Sequence, residues 1–187
     1  MLTELINLDK QLFLFFNGLN NGVFDFLMWH ISGKLIWIPL YIIILYAIIR
    51  TFGKRSIIII VAIVLTIVAT DQISVLIKNS VQRLRPTHNP DFEGLVHFLN
   101  DYRGGNFGFV SSHAANCFGL ATFISLLFQR KWVIIAITVW AITVSYSRIY
   151  LGVHYPADLV AGGLLGIVLA LIFYQIKKIK NCHFDNS

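Results

Sequence analysis

Apolar residues run almost unbroken through five stretches of the chain, 35–49, 57–77, 109–128, 132–146 and 159–176, each bounded by charge, glycine or proline. About 20 apolar residues in a helix cross the hydrocarbon core of a bilayer. The pattern therefore predicts an all-α, integral-membrane helical bundle with five transmembrane helices, Lys34 snorkelling from the end of the short first one. The stretch 5–31 is apolar as well, but Asn17, Gly18, Asn20, Asn21, Gly22 and Asp25 interrupt it, too many polar groups for a lipid-exposed helix. Within it Leu5, Leu8, Leu12, Phe15, Phe16 and Leu19 recur at helical spacing opposite Asp9 and Lys10, as in a segment lying in the headgroup plane. Residues 1–33 are thus expected to form an interfacial helical segment, 35–176 the bundle and 177–187 a cytoplasmic tail, all of one membrane-embedded domain (1–187). If the N-terminal stretch crosses instead, the count rises to six.

Composition agrees. The 187 residues are 57% hydrophobic and 13% charged, with a mean hydropathy of +0.72. Soluble domains carry about 25% charged residues, so this balance excludes both a soluble globular domain and a disordered chain. The net charge of +6 and pI near 9.5 would suit a nucleic-acid binder in a soluble protein. In a membrane protein they raise the question of which side holds the charge, and no nucleic-acid partner is expected. Cys117 lies in an apolar run and Cys182 in the polar tail, which forms neither a disulfide framework nor a zinc site. With no basic leader and no small-residue cleavage site, a cleaved signal peptide is not expected.

The chemistry gathers at helix ends. Counting crossings, the helix ending near Ile77 delivers Lys78, Arg83 and Arg85 to one face; the polar connection 79–108 stays there; the next helix starts at Ser111, Ser112 and His113. Two further crossings return the chain to that face at Ser147, Arg148, His154 and Asp158. Arg83, Arg85, His88, His97 and Arg103 alternate in the connection with Phe92, Phe98, Tyr102 and Phe107, a composition suited to an anionic headgroup, a solvated and partly ordered loop being the plainer reading. Lys78 and Arg85 are seven residues apart and share a helix face if the helix continues to Leu84, where Pro86 would stop it. Ser111 and Ser112 are candidate N-caps, and Pro156 suits a first helical position, placing His154 just before a helix N-terminus and Asp158 in its first turn.

Taken singly, each of these residues reads as an interfacial histidine or a snorkelling charge. Together, three cations suited to a phosphate oxyanion and two histidines suited to nucleophilic and proton-transfer work make a functional site. Asp71, His30 and Asn116 read as polar interhelical contacts. A metal site is disfavoured because the charge-rich groups are cations, and His113, His154 and Asp158 alone are a weak ligand set.

These clusters resemble the three-part signature of the type 2 phosphatidic acid phosphatase (PAP2) superfamily of integral-membrane lipid phosphatases. Lys, six residues, Arg-Pro is present as Lys78 to Arg85-Pro86. Ser-Arg, five residues, His, three residues, Asp is met by Ser147-Arg148, His154 and Asp158. The middle element, usually Pro-Ser-Gly-His, is Val110-Ser111-Ser112-His113, so valine and serine replace proline and glycine. The match covers 78–158; residues 1–55 carry little of it.

The resemblance implies roles. His154 would attack phosphorus and form a phosphohistidine, Asp158 would orient its imidazole, and His113 would protonate the leaving group and then activate water. Lys78, Arg85 and Arg148, with Ser111 and Ser112, would hold the phosphoryl oxygens, with no metal and no cofactor required. It implies a membrane lipid phosphate as substrate, undecaprenyl diphosphate or a glycerolipid phosphate first and a lipid A phosphate close behind. A competing class is a non-enzymatic anion or lipid transporter, disfavoured because the polar groups gather at one face and do not line a path through the bilayer.

The topology also divides the charge. Arg50, Lys54, Arg55, Arg130, Lys131, Lys177, Lys178 and Lys180 face away from the clusters with Asp185 alone against them, a net +7, and the remaining residues sum to −1. By the positive-inside rule the +7 side is cytoplasmic, which predicts a bacterial inner-membrane protein with a cytoplasmic C-terminus and an active site facing the periplasm or exterior.

Overall fold

The computed structural model describes residues 2–176, so the expected tail at 177–187, with its three lysines, lies outside the described residues. Among the described residues the chain forms α1 (Leu2–Gly18), α2 (Gly22–Ser32), α3 (Ile38–Phe52), α4 (Ser56–Val81), α5 (Ser112–Phe128), α6 (Lys131–Tyr150) and α7 (Pro156–Tyr174). They contain no strand beyond an isolated antiparallel bridge between Leu84 and Phe107. The all-α membrane bundle is thus observed. By length and composition the stretches Leu35–Val81, Lys131–Tyr150 and Pro156–Tyr174 can cross a membrane; α5 is apolar but has 17 residues. Gly53, at a φ of +51°, breaks the first of these stretches into α3 and α4.

At the centre stands α5, packed against α4, α6 and α7. Its seam with α7 is built from small residues, which let two backbones approach within van der Waals reach. A Cβ built on Gly166 would fall on the carbonyl oxygen of Ala115, and one on Gly162 on that of Ser111. Away from the site, Ile48, Ile59, Phe123, Leu127 and Ala141 form a buried core. There Tyr41 of α3 and Trp37 in the 3-10 turn just before it close on α6, their rings meeting Trp140 edge-on with centroids 6.4 and 5.8 Å away.

The N-terminal pair packs on α6, and α1 also reaches α7. It is helical, as its spacing predicts, but the expectation that Asp9 faces the headgroup plane is corrected, whereas Lys10 stays at the surface, paired with the exposed Asp91 at 2.6 Å. Asp9 is buried, while Leu5, Leu8 and Phe15 are more than half exposed. Asp9 turns inward because a guanidinium and a helix N-terminus await it there, and the leucines are left outside. Asn17 is likewise buried: its amide donates to the carbonyls of His97, Ile149 and Tyr150 at 2.8–3.1 Å and accepts the His97 N–H at 2.8 Å. His30 bonds the Phe26 carbonyl one turn earlier in its own helix (2.7 Å), which corrects the interhelical expectation for it.

The connection 79–108 is ordered by its own contacts. Two 3-10 turns, at Pro86–His88 and Pro90–Phe92, fold it back, and Phe92 is buried against Phe13 and Tyr155. Its Arg83 and His97 are spent on internal carboxylates, not turned out toward a headgroup.

Candidate active site

The site is assembled where four helix ends meet. α4 stops at Val81: Gln82 takes the left-handed conformation (φ +51°) and its N–H closes on the Lys78 carbonyl at 2.9 Å. The predicted continuation to Leu84 is therefore corrected, and Arg85 does not share a helix face with Lys78. It arrives instead in extended backbone, held by the Leu84–Phe107 bridge and by its own N–H to the Asn106 carbonyl (3.0 Å). Its guanidinium donates to the carbonyls of Phe107 (3.2 Å) and Val153 (3.1 Å) and faces His154 Nε2 at 3.2 Å.

α7 begins as its sequence predicts. Pro156 occupies the first turn, and the Asp158 carboxylate accepts the Tyr155 N–H through Oδ2 at 3.0 Å, satisfying a donor that the helix cannot. The same oxygen lies 3.3 Å from His154 Nδ1. Arginine has no acceptor, so the contact with Arg85 assigns the lone pair to Nε2 and the proton to Nδ1, facing Asp158. Burial, then the nearby Arg85 and Arg148 cations, hold the His154 pKa well below the usual imidazole range and keep the ring neutral.

Lys78 reaches Ser112 Oγ from the last turn of α4 at 2.5 Å. Ser111 caps α5, its hydroxyl accepting the Ala114 N–H at 3.4 Å, while its own N–H donates to the Asp158 carbonyl at 3.0 Å. Ser112 and His113, not Ser111, line the cavity. Arg148 is buried in the last turn of α6; its two terminal nitrogens donate to Ser32 Oγ and, at 2.9 Å, to the Tyr102 hydroxyl. Arg148 Nε has no hydrogen-bond partner among the described residues.

These groups close one end of a cavity of about 700 Å³. Lys78, Arg85, Ser112, His113, Arg148 and His154 line that end, and Trp37, Tyr41, Ile63, Ile67, Leu120 and Val144 are among the apolar residues lining the rest. Asn116 makes the expected interhelical contact, accepting the Thr70 hydroxyl. Asp71 instead lines the cavity. Among the described residues no three His, Cys, Asp or Glu side chains converge as a metal-ligand set.

Sequence reasoning assigned no site role to five contributors. Arg83 sits in the unspecified stretch of the first motif, Asp9 on a face read as wet, and Ser32 and Tyr102 outside every motif. Gly108 is the fifth: a Cβ there would stand 2.8 Å from Asp158 Oδ2, a close approach for which the glycine-rich run 104–108 was a usable signal.

A buried oxyanion pocket beside a neutral imidazole whose Nε2 carries a lone pair is equipped for phosphoryl chemistry. The chain matches the PAP2 superfamily over residues 56–182, beginning at the first residue of α4. It belongs to that superfamily. The PAP2 chain is 46% identical over 180 residues, 94% of its length and 80% of the relative's, to a lipid A 4'-phosphatase of Bacteroides thetaiotaomicron. A lipid A 4'-phosphatase of Porphyromonas gingivalis is 33% identical over 92% of this chain and 74% of that one. The crystal structure of Aquifex aeolicus LpxE superposes with a TM-score of 0.67 at 25% identity, covering 90% of this chain and 95% of that chain. This PAP2 protein is accordingly a membrane lipid phosphatase, a hydrolase.

Proposed function

We propose that this PAP2 phosphatase removes a phosphate monoester from lipid A through a phosphohistidine, at the outer face of a bacterial inner membrane. The observation that carries the chemistry is the neutral His154, with its Nε2 lone pair 3.2 Å from the Arg85 guanidinium inside the cavity. A phosphate bound by Lys78, Arg85, Arg148 and Ser112 displaces the Arg85–His154 contact and meets that lone pair. The Nε2–P bond forms as the P–O ester bond breaks, and His113 gives its proton to the departing alkoxide. Asp158 stabilises the charge that the imidazole acquires. His113 then takes a proton from water, whose oxygen attacks phosphorus; the P–N bond breaks, and inorganic phosphate and neutral His154 are restored.

The sequence alone favours an isoprenoid or glycerolipid phosphate over lipid A. Identity of 46% across nearly the whole chain to a lipid A 4'-phosphatase supports the reverse order. The cavity suits a substrate that keeps its tails in lipid: it follows α4 from Lys78 to Ile60, about 27 Å of helix at 1.5 Å per residue. The transporter reading is weaker, because the cations, Lys34 beside His113 included, sit at one end and only Asp71 and Asn116 add strongly polar groups to the lining elsewhere.

Phosphate release from a panel of lipid A phosphates, undecaprenyl diphosphate and phosphatidylglycerol phosphate tests the substrate. We expect kcat/KM to favour lipid A by about tenfold or more. A preference for undecaprenyl diphosphate or phosphatidylglycerol phosphate would move the assignment, and release from none of them would reject lipid A as the substrate. The charge division supports the orientation, although the part of it at Lys177, Lys178 and Lys180 lies outside the described residues. A C-terminal fusion to a reporter active only in the periplasm should be silent, and activity there would overturn the orientation.

A further inference from the structure

Two charged residues outside the expected site are joined to it by a closed ring of hydrogen bonds. Asp158, fully buried, uses Oδ2 for His154 and the Tyr155 N–H; its other oxygen, Oδ1, accepts Arg83 Nη1 at 2.9 Å. The second arm of the fork, Arg83 Nη2, donates to Asp9 Oδ2 at 2.7 Å. Asp9 Oδ1 in turn accepts the N–H of Ala157 at 2.8 Å, one residue before Asp158 in the first turn of α7. The guanidinium lies over the Tyr155 ring, 3.9 Å from its centroid, and Phe13 of α1 packs edge-on against that ring. Every element that could let Asp158 swing is thus engaged: both its oxygens, the plane of its cation and the backbone turn that carries it.

We propose that Arg83 and Asp9 are a positioning pair that holds the Asp158 carboxylate against His154 Nδ1, so that α1 forms part of the machinery that aims the nucleophile. The proposal rests on the phosphohistidine reading. Neither residue lines the cavity, so neither touches substrate. A planar fork can bridge two carboxylates at once; an ammonium is a point charge and holds one of them without fixing the angle. Removing the cation leaves two buried carboxylates near each other, and Asp158 is then free to turn from the imidazole. Misplacement by about 1 Å at such a site is worth on the order of 10²-fold in rate.

The test separates aiming from binding and from folding. In detergent-solubilised full-length protein, Arg83→Gln should lower kcat and the rate of phosphoenzyme formation by about 10²-fold. KM and the inhibition constant of inorganic phosphate should stay within about threefold, because Lys78, Arg85, Arg148 and Ser112 are untouched. Arg83→Lys should recover part of kcat. Asp9→Asn, which keeps its shape and its bond to Ala157, should cost about tenfold in kcat, and the double variant should be little worse than Arg83→Gln alone, since residues in one network are not additive. Thermal unfolding of each variant reports the fold, and if Arg83→Gln does not fold, Asp9→Asn alone decides. An unchanged kcat, a loss shared equally by KM and phosphate inhibition, or independent additive losses would overturn the pair. The wild-type phosphoenzyme tests the histidine step by itself: its absence removes that step, whereas its presence with an unchanged formation rate in both variants removes only the positioning pair.

Discussion

His154→Ala should lower phosphate release from a lipid phosphate by on the order of 10⁴-fold or more and leave no acid-labile phosphoenzyme. The size of the effect follows from how singular this ring is. Its Nε2 is the lone pair set beside the Arg85 fork, and its Nδ1 proton is committed to a fully buried carboxylate. The cations would remain in the variant and still gather phosphate, but they carry no lone pair to attack it. His154 is itself almost fully buried, so Ala opens a void; His154→Gln, closer in volume, should show the same loss without it. Rapid-quench trapping of labelled phosphoenzyme, with thermal unfolding alongside, makes the measurement. Near-normal turnover in a folded His154→Gln protein would reject the histidine as nucleophile.

Gly166→Leu should destabilise the protein by about 3 kcal/mol or more, leaving little folded material in detergent by size exclusion and thermal unfolding. The first atom of any side chain at 166 falls on the Ala115 carbonyl oxygen and lies 2.8 Å from the Gly119 nitrogen, backbone that cannot step aside. Gly163→Ala is the control. Its Cβ would meet the edge of the Phe118 ring at 3.1 Å, a side chain that can yield, and a small effect is expected. The same seam sets the spacing of the two histidines. One turn along it, Gly162 lies against the Ser111 backbone, whose N–H holds the Asp158 carbonyl, so forcing α5 from α7 also parts His113 from His154. A Gly166→Leu protein as stable as its parent would refute this account of the helix packing.

The start of α7 was legible because its signals are local: Pro156 fits a first turn, and Asp158 stands where a helix N-terminus wants an acceptor. Parity alone brought Lys78, His113, Arg148 and His154 to one end of the bundle. Arg85 reached the site by a route that its spacing did not predict, since a left-handed Gln82 ends the helix and no residue there announces it. For α1, periodicity defined a polar stripe but not which side would meet protein. Asp9 turned inward because Arg83 and the α7 N-terminus lie there, contacts 74 and 148 positions away in sequence. Arg83 was visible as a charge and read as a headgroup contact, because nothing local distinguishes a guanidinium facing lipid phosphate from one facing a buried carboxylate.

Asn17 makes the end of α6 a tertiary structure. The last carbonyls of a helix need donors from elsewhere, and here those of Ile149 and Tyr150 receive them from a side chain in α1. Arg148 is the residue just before that cap, and its guanidinium is held by Ser32 at the end of α2. The stretch 56–182 contains every motif of the superfamily, yet its third motif is braced by residues upstream of it. The motifs are therefore not a transplantable cassette: moved without α1 and α2, they would carry the right letters and lose the scaffold that gives Arg148 its place.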